Sequence, residues 1–340
     1  MALLFADGFD HYGTDATLPA GYWNTWTSTG ASLVTGLLGV GKAMRTTTQS
    51  QCEKDLATNA ATLIVGFCIN ITTLPATAIT LLGLVDVNLL QVCISLQPNG
   101  ALIISKTPTG TTPIATTTNV LTVGVRYHIE FKITVHNTAG AYELRVNGSS
   151  VGWFPATTGV NTRQSLNNYA NKIRHRTTGQ GTGGDLSIDD LYVLDTSGSR
   201  LNDFLGDCKI NTSFPNSNGS TIQWTPTAGN NYEITDNNPP VDASYVSDAT
   251  AGHRDLYDFT DISSGNIHAA ILLHRAAKSD AGTKSIQPVC KSGATTNVGT
   301  AQGLSTTFLW YPKTYENDPN TSAQWTRTNL NSAEFGQDVA

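Results

Sequence analysis

The chain has 340 residues, 39% hydrophobic and 14% charged, with a formal net charge of −6 and a pI of about 5.6. This hydrophobic content is sufficient for packed cores and excludes global disorder. The negative balance argues against a protein that binds the phosphate backbone of nucleic acids, and no apolar stretch approaches the ~18 residues of a membrane span.

The first residues and the cysteines indicate a chain made in a reducing cytoplasm. Residues 1–7 lack a basic region and reach an acid at Asp7, which is not the pattern of a signal peptide. The five cysteines are scattered and form no C-x-x-C pair. Reduced thiols are therefore favoured over a disulfide or a metal site.

Short apolar segments separated by turn residues fill the first part of the chain. Turn signals at residues 98–100, 108–110 and 147–148 occur at the spacing expected of a β-sandwich. The predicted strands are residues 3–5, 31–35, 63–71, 79–84, 89–96, 101–106, 120–123, 127–136, 142–146, 172–176 and 186–194. The well-formed first and last strands suggest a jelly roll whose ends meet side by side.

Residues 127–136 carry the clearest strand pattern. Tyr127, Ile129 and Phe131 alternate with His128 and Glu130, which predicts one buried and one solvated face. A turn and a second strand lead to Asn147-Gly148, a dipeptide typical of a type I′ hairpin. The basic residues of segment 172–176 alternate along a predicted strand edge, and a solvated face is favoured there over a nucleic-acid site.

Several motifs of this region occur together, in order, in one family. They are Phe5-x-Asp7-Gly-Phe9-Asp10 and residues 127–131, 145–148, 161–163 and 189–193. With them the chain resembles the concanavalin-like, or laminin-G-like, jelly rolls of tailed-bacteriophage structural proteins. The resemblance implies an all-β fold and a virion part rather than an enzyme.

A second domain is predicted after a compact turn at residues 195–200, so that residues 1–198 form the jelly roll and residues 199–340 a smaller β-rich module. Its predicted elements are strands at residues 267–274 and 304–311 and a short capped helix ending at Gly336. Further motifs, among them Gly206-Asp207 and Trp224-Thr-Pro226, are similar to a module that often follows the jelly roll in such virion proteins.

A glycine-rich segment, residues 36–42, has the spacing G-x-x-x-x-G-K of a phosphate-binding loop. Position 43 is alanine, where that loop needs a Ser or Thr hydroxyl for Mg²⁺, and the residues that follow are poor helix formers. A glycine-rich hairpin is the better interpretation.

Glycan hydrolysis is the main enzymatic alternative, because some sugar-cleaving enzymes use this sandwich. It requires two carboxylates across one sugar, roughly 5–9 Å apart. Glu130 and Glu143 are isolated on their strands, and Asp189 and Asp190 point to opposite faces. No Ser/His/Asp constellation or zinc motif is present either, so the sequence favours a non-enzymatic protein.

Two candidate binding features remain. Asp7, Asp10, Asp189 and Asp190 come from terminal strands expected to lie close together and could supply oxygen ligands for calcium; alternatively, they cap turns and pair with Arg163 or Arg200. Tyr22, Trp23 and Trp26 lie in a polar loop, where their rings could stack on a sugar or a partner protein, or pack against the sandwich edge.

These observations predict a structural component of a tailed-phage virion, located in the tail, a fibre, the collar or the head surface and made in the bacterial host's cytoplasm. Its expected partners are copies of itself, in a homo-oligomer, and other virion proteins, with neither nucleic acid nor membrane. No cofactor is expected beyond possible calcium. A module that binds a host surface glycan or receptor is the alternative, and a glycan-degrading enzyme a weaker one.

Overall fold

The computed structural model contains two compact units, Met1–Asn211 and Thr212–Ala340. The residues it describes are 2–27, 29–47, 50–176 and 183–340. Residues 199–211, which the sequence placed in the second domain, lie in the first unit because part of this segment packs on the larger sheet of that unit.

The described residues of the first unit form strands and one 3-10 turn, Asp10–Tyr12. The strands are β1 (Leu3–Asp7), β2 (Thr25–Trp26), β3 (Ala31–Thr35), β4 (Lys42–Thr46), β5 (Cys52–Ala60), β6 (Thr62–Pro75), β7 (Ile79–Asp86), β8 (Leu89–Leu96), β9 (Ala101–Ser105), β10 (Pro113–Val120), β11 (Arg126–Thr134), β12 (Gly140–Val146), β13 (Ser149–Val160), β14 (Ala170–His175) and β15 (Gly183–Asp195).

These strands build two antiparallel sheets. The eight-stranded sheet has the order β13-β12-β11-β6-β15-β4-β3, with β1 paired to β15. The seven-stranded sheet has the order β10-β9-β8-β7-β14-β5-β2. The pairing of β1 with β15 confirms that the first and last predicted strands meet, and the all-β jelly-roll sandwich is the predicted fold.

The core of the first unit lies between its two sheets. Ile129, Phe131 and Ile133 of β11 point into it and are fully buried, as their alternation predicts. A cavity of about 10 Å³ between the sheets is lined by side chains of both, among them Met44, Phe67, Leu81 and Ile173. This volume is about that of a single water, so the core is closely packed.

The hairpin between β12 and β13 has the predicted turn. Asn147 and Gly148 have φ angles of 50° and 79°, the left-handed conformation that both central positions of a type I′ turn require. Asn147 Oδ1 also accepts the His128 N–H at 2.8 Å, which attaches the turn to β11. Local turn chemistry therefore fixes the register of this hairpin.

The second unit is smaller and also β-rich. Its elements are β16 (Pro215–Ile222), β17 (Thr225–Pro226), α1 (Asn231–Thr235), β18 (Val246–Ser247), β19 (Arg254–Phe259), β20 (Ala270–Ala276), β21 (Ser285–Ser292), β22 (Thr295–Val298), β23 (Gln302–Gly303), β24 (Leu309–Tyr315), α2 (Arg327–Asn331) and β25 (Glu334–Val339). The main sheet has the order β16-β19-β25-β21-β22, with β23 on β21; β17-β18 and β20-β24 form separate pairs.

Two elements of this unit differ from their prediction. The strand predicted at residues 267–274 is present but begins later, as β20, and the strand predicted at 304–311 is shifted toward Tyr315, as β24. The predicted helix ends at Asn331 rather than at Gly336, which lies in the central strand β25. Phe335 of that strand packs on Tyr315 and Trp325 in the core, and this burial outweighs the local helix signal.

The described helices of the chain are short, and none of them has the length and apolar character needed to cross a membrane.

Candidate functional site

A row of charged side chains lies on the outer face of the eight-stranded sheet. It consists of Arg126, His128, Glu130 and Lys132 of β11, every second residue of the strand. The sequence predicts that this face is solvated, but His128 and Glu130 are each only 1% exposed. Another part of the chain therefore covers them.

Residues 203–210, here named the strap, form that cover. Backbone amides of the strap donate to carboxylates of the sheet: Gly206 N–H to Glu130 Oε1 at 2.8 Å and Ile210 N–H to Asp190 Oδ1 at 2.7 Å. Asp207 of the strap accepts two hydrogen bonds from Arg126, at 2.7 and 2.8 Å. Backbone amides and a bidentate ion pair thus fix the strap to the sheet along its length.

The N-terminal end of the strap is held by two cations. Lys132 Nζ lies 3.0 Å from Asp203 Oδ1. The Arg145 guanidinium lies 4.0 Å from the centre of the Phe204 ring, a cation–π contact. Arg145 also donates to Glu143 at 2.8 Å, so this glutamate is held in an ion pair on β12.

Tyr192 provides a further partner for Glu130. Its hydroxyl donates to Glu130 Oε1 at 2.6 Å. The Tyr192 ring crosses β6 above Gly66, where an added Cβ would lie 2.1 Å from the ring. Gly66 is therefore required for this close approach. Just before Tyr192, β15 has a register shift, and Asp190 has a φ of 52° within it.

Burial dominates the electrostatics under the strap. It raises the pKa of Asp190 to about 7, with a further increase from Asp189, while the Ile210 amide, Arg126 and Lys209 act in the opposite direction. Burial also raises the pKa of the Cys68 thiol and lowers that of His128. At the exposed end, hydrogen bonding to Arg126 keeps the pKa of Asp207 low. Glu130 and Asp190 thus hold the strap and are buried beneath it.

The four candidate calcium ligands have different surroundings. Both oxygens of Asp7 are occupied by donors, namely Phe9 N–H, the Tyr12 hydroxyl and the Trp23 indole, at 2.7–2.8 Å. Burial raises the pKa of Asp7 to about 7. Among the residues that the structure describes, no group of three or more His, Cys, Asp or Glu side chains is arranged to hold a metal ion.

Asp10 and Asp189 instead fasten the glycine-rich segment between β3 and β4. Leu37 N–H donates to Asp189 Oδ2 at 3.0 Å, and Lys42 N–H donates to Asp10 Oδ1 at 2.5 Å. The segment is a hairpin loop, as expected. Its backbone amides donate hydrogen bonds to these two carboxylates of the same chain. The two aspartates thus serve the turn, in line with the capping alternative, whereas Arg163 donates to the Leu166 carbonyl and to Asn168 Oδ1.

The candidate contact aromatics are located in the interior rather than on an exposed rim. Tyr22 and Trp23 are buried, with Trp23 edge-on to Phe5 at 5.2 Å and stacked near Phe9 at 6.2 Å. Trp26 is half-buried, with its ring centre 6.2 Å from that of Trp23. Their positions correct the idea of an exposed platform, because the first strand supplies apolar partners for this loop.

The basic segment at residues 172–176 is also inside the fold. It forms β14, a central strand between β7 and β5, and not an edge. Lys172 and Arg174 both pair with Glu53, and these cations lower the pKa of that carboxyl against the effect of burial. The segment offers no free basic surface of the kind that nucleic acids need.

The second unit has an aromatic cluster, exposed at Tyr245, that the sequence patterns did not indicate. Arg275 lies 5.8 Å from the Phe308 ring and 5.5 Å from the Trp310 ring, and it makes two 2.8 Å hydrogen bonds to Asp242. Tyr245, 44% exposed, lies 6.5 Å from Phe308. These residues come from separate segments, so no local motif could reveal the cluster.

All five cysteines are free, and four of them are buried. Burial raises the pKa of Cys52 and of Cys93 to about 12, so these thiols stay protonated at neutral pH. Their surroundings agree with the prediction of reduced, inert thiols.

Comparisons with known proteins assign no family to this chain. No family model matches it, and no curated protein matches its sequence. Solved structures with some similarity include a sialidase, with 12% identity and a TM-score of 0.35 over 50% of this chain and 17% of that one. Cellulose induced protein Cip1 has 15% identity and a TM-score of 0.41, over 59% of this chain and 100% of that one. Alginate lyase AlgAT5, from polysaccharide lyase family 7, has 12% identity and a TM-score of 0.33, over 50% of this chain and 84% of that one.

Proposed function

We propose that this chain is a non-enzymatic structural protein of a tailed-phage virion, made in the host cytoplasm and acting through contacts with copies of itself and with other virion proteins. The family resemblance of the sequence motifs supports the virion role. The observation that carries the non-enzymatic part is the strap, which covers the charged face of the eight-stranded sheet.

The covered carboxylates are unsuited to glycan cleavage. That reaction needs one carboxyl as acid and a second as base or nucleophile, both reaching the same sugar. Glu130 is occupied by Tyr192 and by the strap, and Asp190 accepts a strap amide. Position on the particle, whether tail, fibre, collar or head surface, is left to experiment.

Purified phage particles test the proposal. Quantitative mass spectrometry should find the chain at a fixed copy number per particle, and cryo-EM density of the particle should accommodate the sandwich at a repeated position. Absence from purified particles would contradict the virion role. Release of reducing sugar from host polysaccharide, lost in Glu130→Gln but retained in Glu143→Gln, would contradict the non-enzymatic part.

A glycan-binding module is the second candidate, favoured by the exposed Tyr245 and the aromatic cluster beneath it in the second unit. An exposed ring beside a carboxylate and a guanidinium can stack on a sugar and hydrogen-bond to its hydroxyls. Tyr245→Ala should abolish binding on a glycan array of host surface sugars, whereas Tyr232→Ala, on α1 of the same unit, should retain it. A wild-type chain that binds none of these glycans would eliminate this candidate.

A further inference from the structure

One side of the first unit is built without charged residues. Residues 107–125 and 146–162 contain no Asp, Glu, Lys or Arg, although 14% of the whole chain is charged. They include β10 and β13, each of which is the last strand of its sheet on the same side of the sandwich. We name these two segments together the neutral edge.

The two strands of the neutral edge form one continuous surface. Thr117 Oγ1 of β10 donates to the Gly152 carbonyl of β13 at 2.8 Å. A Cβ added to Gly152 would lie 2.6 Å from Asn119 Nδ2, so the two strands approach closely. Because they belong to different sheets, they close this side of the sandwich together.

The surface of the neutral edge is apolar as well as uncharged. Four of its valines are exposed: Val120, 45%; Val123, 45%; Val125, 42%; and Val151, 83%. Threonines such as Thr116, Thr118 and Thr158 fill much of the remaining surface. Clustered exposed apolar side chains are typical of a surface that another molecule covers.

The opposite edge of the sandwich differs in which strand forms it. Its last strands, β3 and β2, are also uncharged, but β2 has only two residues and pairs only with Cys52 and Glu53 of β5. The rest of β5, with the charged residues Lys54 and Asp55, therefore lies at that edge. Natural proteins use charges and prolines near sheet edges to prevent edge-to-edge pairing. The neutral edge has Pro113 and Pro155 but lacks the charges.

We propose that the neutral edge is the surface on which a second copy of this chain docks. The inference rests on the proposed assembly role and names the partner for it. Two copies, each with a net charge of −6, repel one another on average, and a contact through the neutral edge brings no like-charged side chains together. A symmetric contact also lets the same valines and threonines of both copies meet.

Sedimentation velocity of the full chain over a wide concentration range tests this proposal. The wild type should associate reversibly, and more strongly at high salt, because salt screens the repulsion between copies. The double variant Val120→Asp/Val151→Asp should weaken association at least about tenfold. The control Val241→Asp/Val298→Asp adds the same charge at two exposed valines of the second unit and should associate like the wild type.

Three results would overturn the inference: a wild type that remains monomeric at every concentration and salt, association that persists in the neutral-edge variant, or equal loss in both double variants. Circular dichroism melting of all three proteins verifies that each is folded. The assay is independent of particle composition, so a monomeric chain that is nevertheless present in purified particles would reject this surface and leave the virion role intact.

Discussion

The covered face of the eight-stranded sheet and the neutral edge belong to the same sandwich. They differ in that the first contains many charged side chains and the second contains none. Under and beside the strap, Glu130, Asp190 and Arg126 are all bound by groups of their own chain. Along the neutral edge there are no charged residues, and valines reach the solvent. Charged groups under the strap are therefore bound within the chain, whereas the uncharged neutral edge leaves apolar side chains open to another molecule.

Removing Glu130 should have the largest effect of these changes on the stability of the first unit. Glu130→Ala leaves the Tyr192 hydroxyl and the Gly206 amide buried without their acceptor. We expect the free energy of unfolding of the first unit to fall by about 3–5 kcal/mol, measured by urea denaturation. The control Glu143→Ala, which removes a partly exposed partner of Arg145, should cost less than about 1 kcal/mol. Equally small losses would mean that the strap is not held by Glu130.

The ionisation of Asp190 should make the stability of the covered face depend on pH, because a buried charge there is unfavourable. Its pKa is raised to about 7, above the ~3.9 of an unfolded aspartate. The folded chain therefore binds a proton that the unfolded chain does not bind between these values, so the contribution of Asp190 to stability grows as pH falls from 8 to 4, on the order of 1–3 kcal/mol.

The measurement is the difference in unfolding free energy between the wild type and Asp190→Asn at a series of pH values. Relative to the variant, the wild type should gain unfolding free energy as the pH falls toward about 4. Buried histidines such as His175, whose pKa burial lowers to about 3, have the opposite pH dependence, but they are present in both proteins and cancel. A difference that does not change with pH would show that Asp190 is ionised in the fold throughout.

Loss of the ion pair at the exposed end of the strap should have a smaller effect on stability. Asp207→Asn removes an ion pair whose acidic side chain is 51% exposed, so global stability should fall by less than about 1 kcal/mol. Hydrogen exchange of the Gly206 and Ile210 amides should nevertheless become faster, because the strap opens more often. The same change at Asp242, in the second unit, should leave these two amides unaffected. Unchanged exchange in Asp207→Asn would mean that Arg126 does not hold the strap.

The neutral edge should show the smallest effect on stability. Val151 is 83% exposed, so Val151→Asp should alter the free energy of unfolding by no more than about 0.5 kcal/mol at concentrations where the chain is monomeric. Urea denaturation of the dilute protein measures this. A larger loss would mean that Val151 supports the fold itself and would weaken the contrast with the covered face.

Much of the fold was predictable because the order of apolar, polar and turn residues along a strand reflects which face is buried and where the strand ends. The alternation of β11 identified its core face, and Asn147-Gly148 identified the hairpin between β12 and β13. The predicted end of the C-terminal helix at Gly336 was wrong, since the burial of Phe335 between aromatic rings depends on distant residues that local capping signals do not report.

The covered face was not predictable in the same way. The pattern of β11 says that His128 and Glu130 are on the polar side, and this is correct. Whether that side is exposed to water depends on the strap. The strap lies 76 residues further along the chain, counted from Glu130 to Gly206, in a segment with no periodicity of its own. The calcium and aromatic candidates depended likewise on which donors or rings would surround them, as with the three donors to Asp7.

The pairing of β1 with β15 has a consequence for how the protein is made. Leu3 lies opposite Leu194, so β1 cannot find its partner until nearly two hundred residues have been synthesised. At ribosomal rates this corresponds to a wait of roughly 10–40 s. Contacts of such high contact order form slowly, and until they form, Phe5 and the rings that pack on it remain open to chaperones. The sandwich is therefore expected to close late, as the second unit begins to emerge from the ribosome.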